Sequence, residues 1–326
     1  MGQYSIGTDR QSIGKEMPVD PAVQKILDKM ALLPETHSLS VENARASFLW
    51  KLPASLRIDP IGSSRDIVIP GESDLKARVY TPRGVGPFPL LVFYHGSGFV
   101  VCNLDTHDAI CRNLCSGAGC VVLSVDYRLA PEHKFPAATD DCLRACRWAA
   151  TQAADLHIDP NRISVGGDSA GGNLAAVTAM RIRDEGGPRL WGQVLIYPVL
   201  DYHTPGTASY SENAIGYGLT RKTMEWYWAH YLNTPEEAAN PLAAPLKAKS
   251  FASLPPALIV TAEYDPLCDE GEIYAERLRV AGVPTEMTRY HGMHHGFIFF
   301  PGIIAGADRA IAQVCEWLKQ VQSLAR

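Results

Sequence analysis

The chain has 326 residues, 46% of them hydrophobic and 20% charged, with a formal net charge of −5. That composition is globular, with ample length for a large core. The acidic balance supplies no basic field for nucleic acid, and no apolar run approaches the roughly 18 residues of a membrane span, so neither nucleic-acid binding nor stable membrane insertion is expected.

Residues 1–19 are polar and lack the apolar stretch of a secretory signal, so a loosely ordered tail and a cytoplasmic protein are expected. Met1-Gly2 does not complete a myristoylation motif, because Ile6 stands where Ser or Thr is needed. Asp20 before Pro21 reads as an N-cap with proline at the first helical position. Val23, Ile26, Leu27 and Met30 then recur at helical spacing up to Pro34. A second helix is expected over about Val41 to Trp50. Both precede any strand signal, which marks them as an added layer.

Asp66–Pro70 and Leu75–Tyr80 read as a hairpin turning at Gly71-Glu72-Ser73-Asp74. The pattern then changes. Pro89–Tyr94 is a continuous apolar run, as in a strand buried on both faces. A helix near Thr106–Ser116, a strand at Cys120–Val125 and a helix over about Pro136–Ala154 follow. Next come the strand Asn161–Val165, a helix through Asn173–Met180, and strands at Gly192–Tyr197, Pro256–Thr261 and Thr285–Tyr290. The last helix carries Ala307, Ile311, Val314, Leu318 and Val321 on one stripe. Such alternation predicts an α/β fold, a mostly parallel sheet covered on both faces, with ligands beyond the carboxyl ends of the strands. The aromatic-rich segment from about Asp201 to Leu246, with a helical stretch near Thr220–Leu232, is too long for a plain connection. It reads as an insertion folding over that carboxyl edge.

None of the eight cysteines forms a C-x-x-C pair or completes a zinc set. Cys111/Cys115 and Cys142/Cys146 sit four apart on helices, a geometry poor for a disulfide. They read as small buried residues in a reducing compartment.

Chemistry concentrates at Gly166-Gly167-Asp168-Ser169-Ala170-Gly171-Gly172, between a strand and a helix. A serine framed by glycines at such a turn is the G-x-S-x-G nucleophile elbow. Hydroxyl attack also needs a base, an acid that orients it and donors for the oxyanion. In α/β-hydrolases the acid and the histidine follow the serine in that order. Asp265 follows the Pro256–Thr261 strand, with Asp201 as an alternative acid. His294 and His295 follow the last strand. Tyr94-His95-Gly96-Ser97-Gly98-Phe99 follows the first buried strand and is small enough to bring backbone N–H groups to a substrate. Ala170 supplies a further donor. His95, upstream of the elbow, reads as a loop-orienting residue. Asp168 reads as an anchor for neighbouring loops, paired with a basic residue. Asp126, Arg128 and Glu132 read as a structural turn with ion pairs.

The motifs His95-Gly96-Ser97-Gly98, Asp126–Glu132, Gly167–Gly172, Asp265–Gly271 and His295-Gly296-Phe297 together resemble those of hormone-sensitive lipase-like α/β-hydrolases, the bacterial family IV carboxylesterases. The resemblance implies an α/β-hydrolase fold with an eight-stranded, mostly parallel sheet and a helical cap. It divides the chain into cap helices at 1–50, a cap insertion at 201–246 and a catalytic core at 51–200 and 247–326. It implies Ser169 as nucleophile, His295 as base and Asp265 as orienter, with an oxyanion hole from Gly96, Ser97, Gly98 and Ala170. It also implies hydrolysis of short- to medium-chain acyl esters with no metal or organic cofactor, and a homodimer formed through the sheet edge near the last strand and helix. The chain departs from the family at Ser97, where the middle glycine of His-Gly-Gly-Gly belongs, and at Cys268, where arginine is common. Cys268 reads as a structural thiol. Amide, lactone or carbamate hydrolysis is an alternative on the same triad, as is a catalytically inactive small-molecule receptor, which would lack the triad histidine.

Overall fold

A computed structural model of the protein describes residues 18–50, 55–71, 73–96 and 98–323. The tail at residues 1–17, Glu72 of the hairpin turn and Ser97 of the oxyanion loop lie outside the described residues. Among the described residues eight strands form one sheet: β1 (Ser63–Ile69), β2 (Leu75–Thr81), β3 (Phe88–Tyr94), β4 (Val121–Val125), β5 (Ile158–Asp168), β6 (Leu190–Ile196), β7 (Ala257–Tyr264) and β8 (Thr285–His294). Their order is β1-β2-β4-β3-β5-β6-β7-β8. Both pairs made by β2 are antiparallel and all later pairs are parallel.

Ten α-helices accompany the sheet among the described residues: α1 (Pro21–Met30), α2 (Val41–Trp50), α3 (Asp108–Ala118), α4 (Ala137–Thr151), α5 (Ala153–Leu156), α6 (Ala170–Glu185), α7 (Ala208–Glu212), α8 (Arg221–Tyr231), α9 (Cys268–Val280) and α10 (Ala305–Ser323). The apolar run of β3 splits by strand period. Leu90, Val92 and Tyr94 join the core beneath α4, α6 and α9, whereas Leu91 and Phe93 join the core beneath α3 and α10. The stripe on α10 is buried as its spacing predicts. Asp20 caps α1, its carboxylate accepting from the Ala22 N–H at 2.8 Å. No helix among the described residues is long and apolar enough to cross a membrane.

The sequence reading passes over α9. Its buried residues, Tyr274, Ala275 and Leu278, are interleaved with exposed Ile273 and Val280, which blurs the helical period. Acidic Asp269 and Glu270 in its first turn and basic Arg277 and Arg279 in its last were the available signal. The short α7 within the 201–246 segment was likewise not anticipated.

Residues beyond the carboxyl end of β3 are gripped from above. Phe99 stacks on Tyr231 of α8, with ring centroids 3.8 Å apart and planes within 7°, and also meets Trp228 at 5.9 Å. Tyr227, one turn earlier, lies so close over Gly98 that any side chain there would overlap its ring. The helix α2 contributes Arg45, which donates to the carbonyls of Val100 at 2.8 Å and Ala130 at 3.0 Å and pairs with Glu132 at 2.7 Å. His37, between α1 and α2, reaches Thr223 of α8 at 3.4 Å. Removing the fully buried Tyr231 ring as Tyr231→Ala is expected to cost about 3–5 kcal/mol of stability, measured by urea denaturation.

Candidate active site

The turn from β5 into α6 is built from backbone collisions that only glycine avoids. Side-chain carbon at Gly167 or Gly171 would run into the Tyr94 carbonyl of the neighbouring strand. Between them Ser169 adopts φ 55°, ψ −121°, a strained conformation for a residue with a side chain. Its N–H donates to the Ile196 carbonyl at 2.8 Å, pinning the turn against the end of β6. Ser169 is only 8% exposed.

Ser169 Oγ lies 2.9 Å from His295 Nε2, and His295 Nδ1 lies 2.7 Å from Asp265 Oδ2. Each comes from a loop at the carboxyl edge of the sheet, as expected. Asp265 is fully buried, and its other oxygen accepts from the Leu267 N–H at 2.8 Å. His295 packs beside the Tyr197 ring at 4.6 Å. The carboxylate line leaves imidazole Nε2 able to take the Ser169 proton.

The alternatives raised by the sequence fall elsewhere. Asp201 pairs with Lys247 Nζ at 2.8 Å. His294 is buried within the end of β8, and its basicity falls to about 3 because burial disfavours the cation, with His295 adding to the effect. His95 is also buried, stacked on Tyr127 at 4.4 Å, while the Tyr127 hydroxyl donates to the His95 carbonyl at 2.7 Å. Burial, aided by His107, lowers its basicity to about 3. Cys268 opens α9 with its thiol 3.6 Å from Glu272 Oε1, and burial pushes that thiol up. All eight cysteines are buried, and no disulfide joins them. Arg128 pairs with Asp141 at 2.8 Å, so the ion pairs of the 126–132 turn reach outward to Asp141 and Arg45.

Gly96, placed with Ser97, Gly98 and Ala170 in the expected oxyanion hole, directs its own N–H at Asp168 Oδ1, 2.8 Å away, and at His107 Nε2, 3.2 Å away. Gly98 has φ +53°, a backbone region suited to glycine, and Ala170 opens α6, where the first helical N–H groups lack intrahelical partners. Asp168 did find its basic partner, His107, at 3.2 Å. Burial pushes the Asp168 carboxyl up, but attraction to His107, with hydrogen bonds from His107 and Gly96, brings it net below its ordinary range. Sequence reasoning missed His107, Tyr197 and Asn213. Asn213 is buried and donates to the carbonyls of Glu263 at 3.2 Å and Asp265 at 3.1 Å. None of the three stands in a pattern that spacing could expose.

These features define an α/β-hydrolase, and a family model described as alpha/beta hydrolase fold matches residues 91–299. A carboxylic ester hydrolase of Mycobacterium tuberculosis, LipN, is 44% identical over 78% of this chain and 71% of its own. A carboxylesterase of the same organism, NlhH, is 40% identical over 93% of this chain and 96% of its own. The solved structure of a hyperthermophilic esterase from Pyrobaculum calidifontis is 42% identical, superposes with a TM-score of 0.89, and is covered over 95% of this chain and 100% of that one. The chain belongs to the hormone-sensitive lipase-like family of α/β-hydrolases and is a carboxylic ester hydrolase.

Two outcomes follow. Gly171→Ala is expected to abolish folded, active protein, read by thermal unfolding and soluble yield, because the added carbon meets backbone that cannot yield. His95 and His294 have folded basicities well below their unfolded value of about 6.5, so the unfolded chain binds their protons first. Their stabilising contribution is complete above that value and is lost progressively as pH falls from about 6.5 toward 3. Urea midpoints measured across that range should drop, and His294→Gln should make the drop shallower.

Proposed function

We propose that the enzyme hydrolyses short- to medium-chain acyl esters through Ser169, His295 and Asp265, with an acyl-enzyme intermediate. The line of contacts at 2.9 Å and 2.7 Å carries this reading. Ser169 Oγ attacks the ester carbonyl carbon while its proton passes to His295 Nε2, and the carbonyl electron pair moves onto oxygen. Asp265 stabilises the imidazolium without taking its proton. As the tetrahedral intermediate collapses, the carbon–alkoxy bond breaks and His295 returns the proton to the leaving alcohol. A water molecule, losing its proton to His295, then attacks the acyl-serine, and Ser169 leaves with that proton as the acid is released. The backbone N–H groups of Ser97, Gly98 and Ala170 hold the oxyanion, each worth roughly 10²–10³ in rate. No step needs a metal or organic cofactor.

The N-terminal helices and the 201–246 segment act as the cap over the core. The low exposure of Ser169 and the ring of Tyr227 against Gly98 support small acyl groups over long triglyceride chains. Eight buried cysteines without a disulfide among them support a reducing, cytoplasmic setting. The edge position of β8 supports pairing with a second copy.

Ser169→Ala is expected to abolish turnover of a butyrate chromogenic ester, and a fluorophosphonate should label the wild type at Ser169. Near wild-type turnover by the variant would sink the triad, and an unlabelled serine would favour an inactive receptor. Matched ester and amide substrates should give turnover strongly favouring the ester; a reversed ratio would move the assignment to amide hydrolysis.

A further inference from the structure

Between the elbow and the oxyanion loop lies a buried cluster that the reaction above does not use. Asp168 precedes the nucleophile and is fully buried, as is His107. The Gly96 N–H donates to carboxylate oxygen Oδ1 at 2.8 Å and also to His107 Nε2 at 3.2 Å, and His107 Nε2 itself lies 3.2 Å from Oδ1, so the three groups meet at one point. On the other side of the imidazole, Nδ1 lies 2.9 Å from Thr106 Oγ1. Thr106 is itself fixed, its hydroxyl 2.7 Å from the Asn103 carbonyl and its backbone N–H donating to Asn103 Oδ1 at 3.1 Å. The ring edge of His107 meets Phe299 at 4.8 Å and 72°, and His95 lies 5.4 Å away. The imidazole therefore has one orientation, set from three sides.

The loop that starts at Gly96 needs such a fixture. A hydrogen bond to a carboxylate is shorter and roughly twice as strong as one between neutral groups. Here that carboxylate belongs to the residue next to Ser169, so the bond ties the loop directly to the nucleophile's own turn. Oxyanion donors act only when already aimed at the developing charge, and a displacement of about 1 Å costs on the order of 10²-fold in rate.

We propose that His107 and Asp168 are positioning residues for ester hydrolysis: His107 aims the Asp168 carboxylate at the Gly96 N–H and thereby sets the distance between the oxyanion loop and Ser169. The proposal rests on the reading of Ser97, Gly98 and Ala170 as oxyanion donors. It assigns no substrate contact to either residue.

The test uses the full-length enzyme with active sites counted by fluorophosphonate titration, so that misfolded protein does not enter the rates. For His107→Ala, kcat per titrated site is expected to fall about 10- to 100-fold, with KM within about threefold of wild type. Binding of an alkyl trifluoromethyl ketone, whose adduct with Ser169 carries an oxyanion, is expected to weaken by the same factor as kcat/KM. His107→Gln keeps an amide N–H for Asp168 and is expected to recover most of both. Unchanged kcat in His107→Ala, or a loss of kcat with no weakening of the ketone, overturns the proposal and leaves the triad standing. A wild type that the fluorophosphonate does not label overturns the triad, and this proposal with it. If His107→Ala yields no folded protein, Thr106→Val decides: a smaller parallel loss of kcat and ketone affinity supports the strut, and wild-type values for both overturn it.

Discussion

Everything at the site follows from one strained residue. Ser169 sits at φ 55° between a strand and a helix, a conformation costing on the order of 1–3 kcal/mol. The turn holds because its neighbours leave it no alternative: the Tyr94 carbonyl excludes side chains at Gly167 and Gly171, and the Ser169 N–H is held by the end of β6. The strain places Oγ at the tip of the turn, and the buried helix α6 behind it offsets the cost. Once the tip is fixed, the loops after β3, β7 and β8 need only converge on one point at the same sheet edge.

Those loops converge through different means. The acid loop is tied into the 201–246 segment: Asn213 holds the Glu263 and Asp265 carbonyls, and the Ser209 hydroxyl donates to the Pro266 carbonyl at 2.6 Å. His295, the proposed base, is steadied by the Tyr197 ring and by the Asp265 carboxylate behind it. The oxyanion loop is held from below by Asp168 and from above by α8. Loop residues would otherwise be the least constrained part of the molecule.

Much of this was legible in the sequence, for physical reasons that differ by residue. Strands such as β3 and β4 announce themselves as apolar runs because both faces are buried, and α10 does so because one stripe faces the core. Ser169, Asp265 and His295, the proposed triad, stood out because that chemistry fixes both residue type and chain order, and their side chains stand in line in the fold. The residues that were missed act only through tertiary contacts. A histidine at the start of a helix, like His107, looks the same in sequence whether it faces solvent or a buried carboxylate. Gly96 lies within the motif, but only the fold shows that its N–H faces Asp168 Oδ1 and His107 Nε2. Between His294, the last residue of β8, and His295, the first beyond it, only the three-dimensional path of the strand decides which ring meets the serine.

The grip of α8 on the Gly98–Phe99 backbone couples two properties usually treated as separate. Tyr227 and Tyr231 belong to the segment proposed as the cap, yet their rings also pack on Gly98 and Phe99 of the loop after β3. On the proposed reading of cap and oxyanion loop, variants of α8 selected for bulkier esters trade turnover for breadth unless the loop is re-supported elsewhere, and Arg45, already bound to Val100 and Ala130 from α2, is the natural place to build that support.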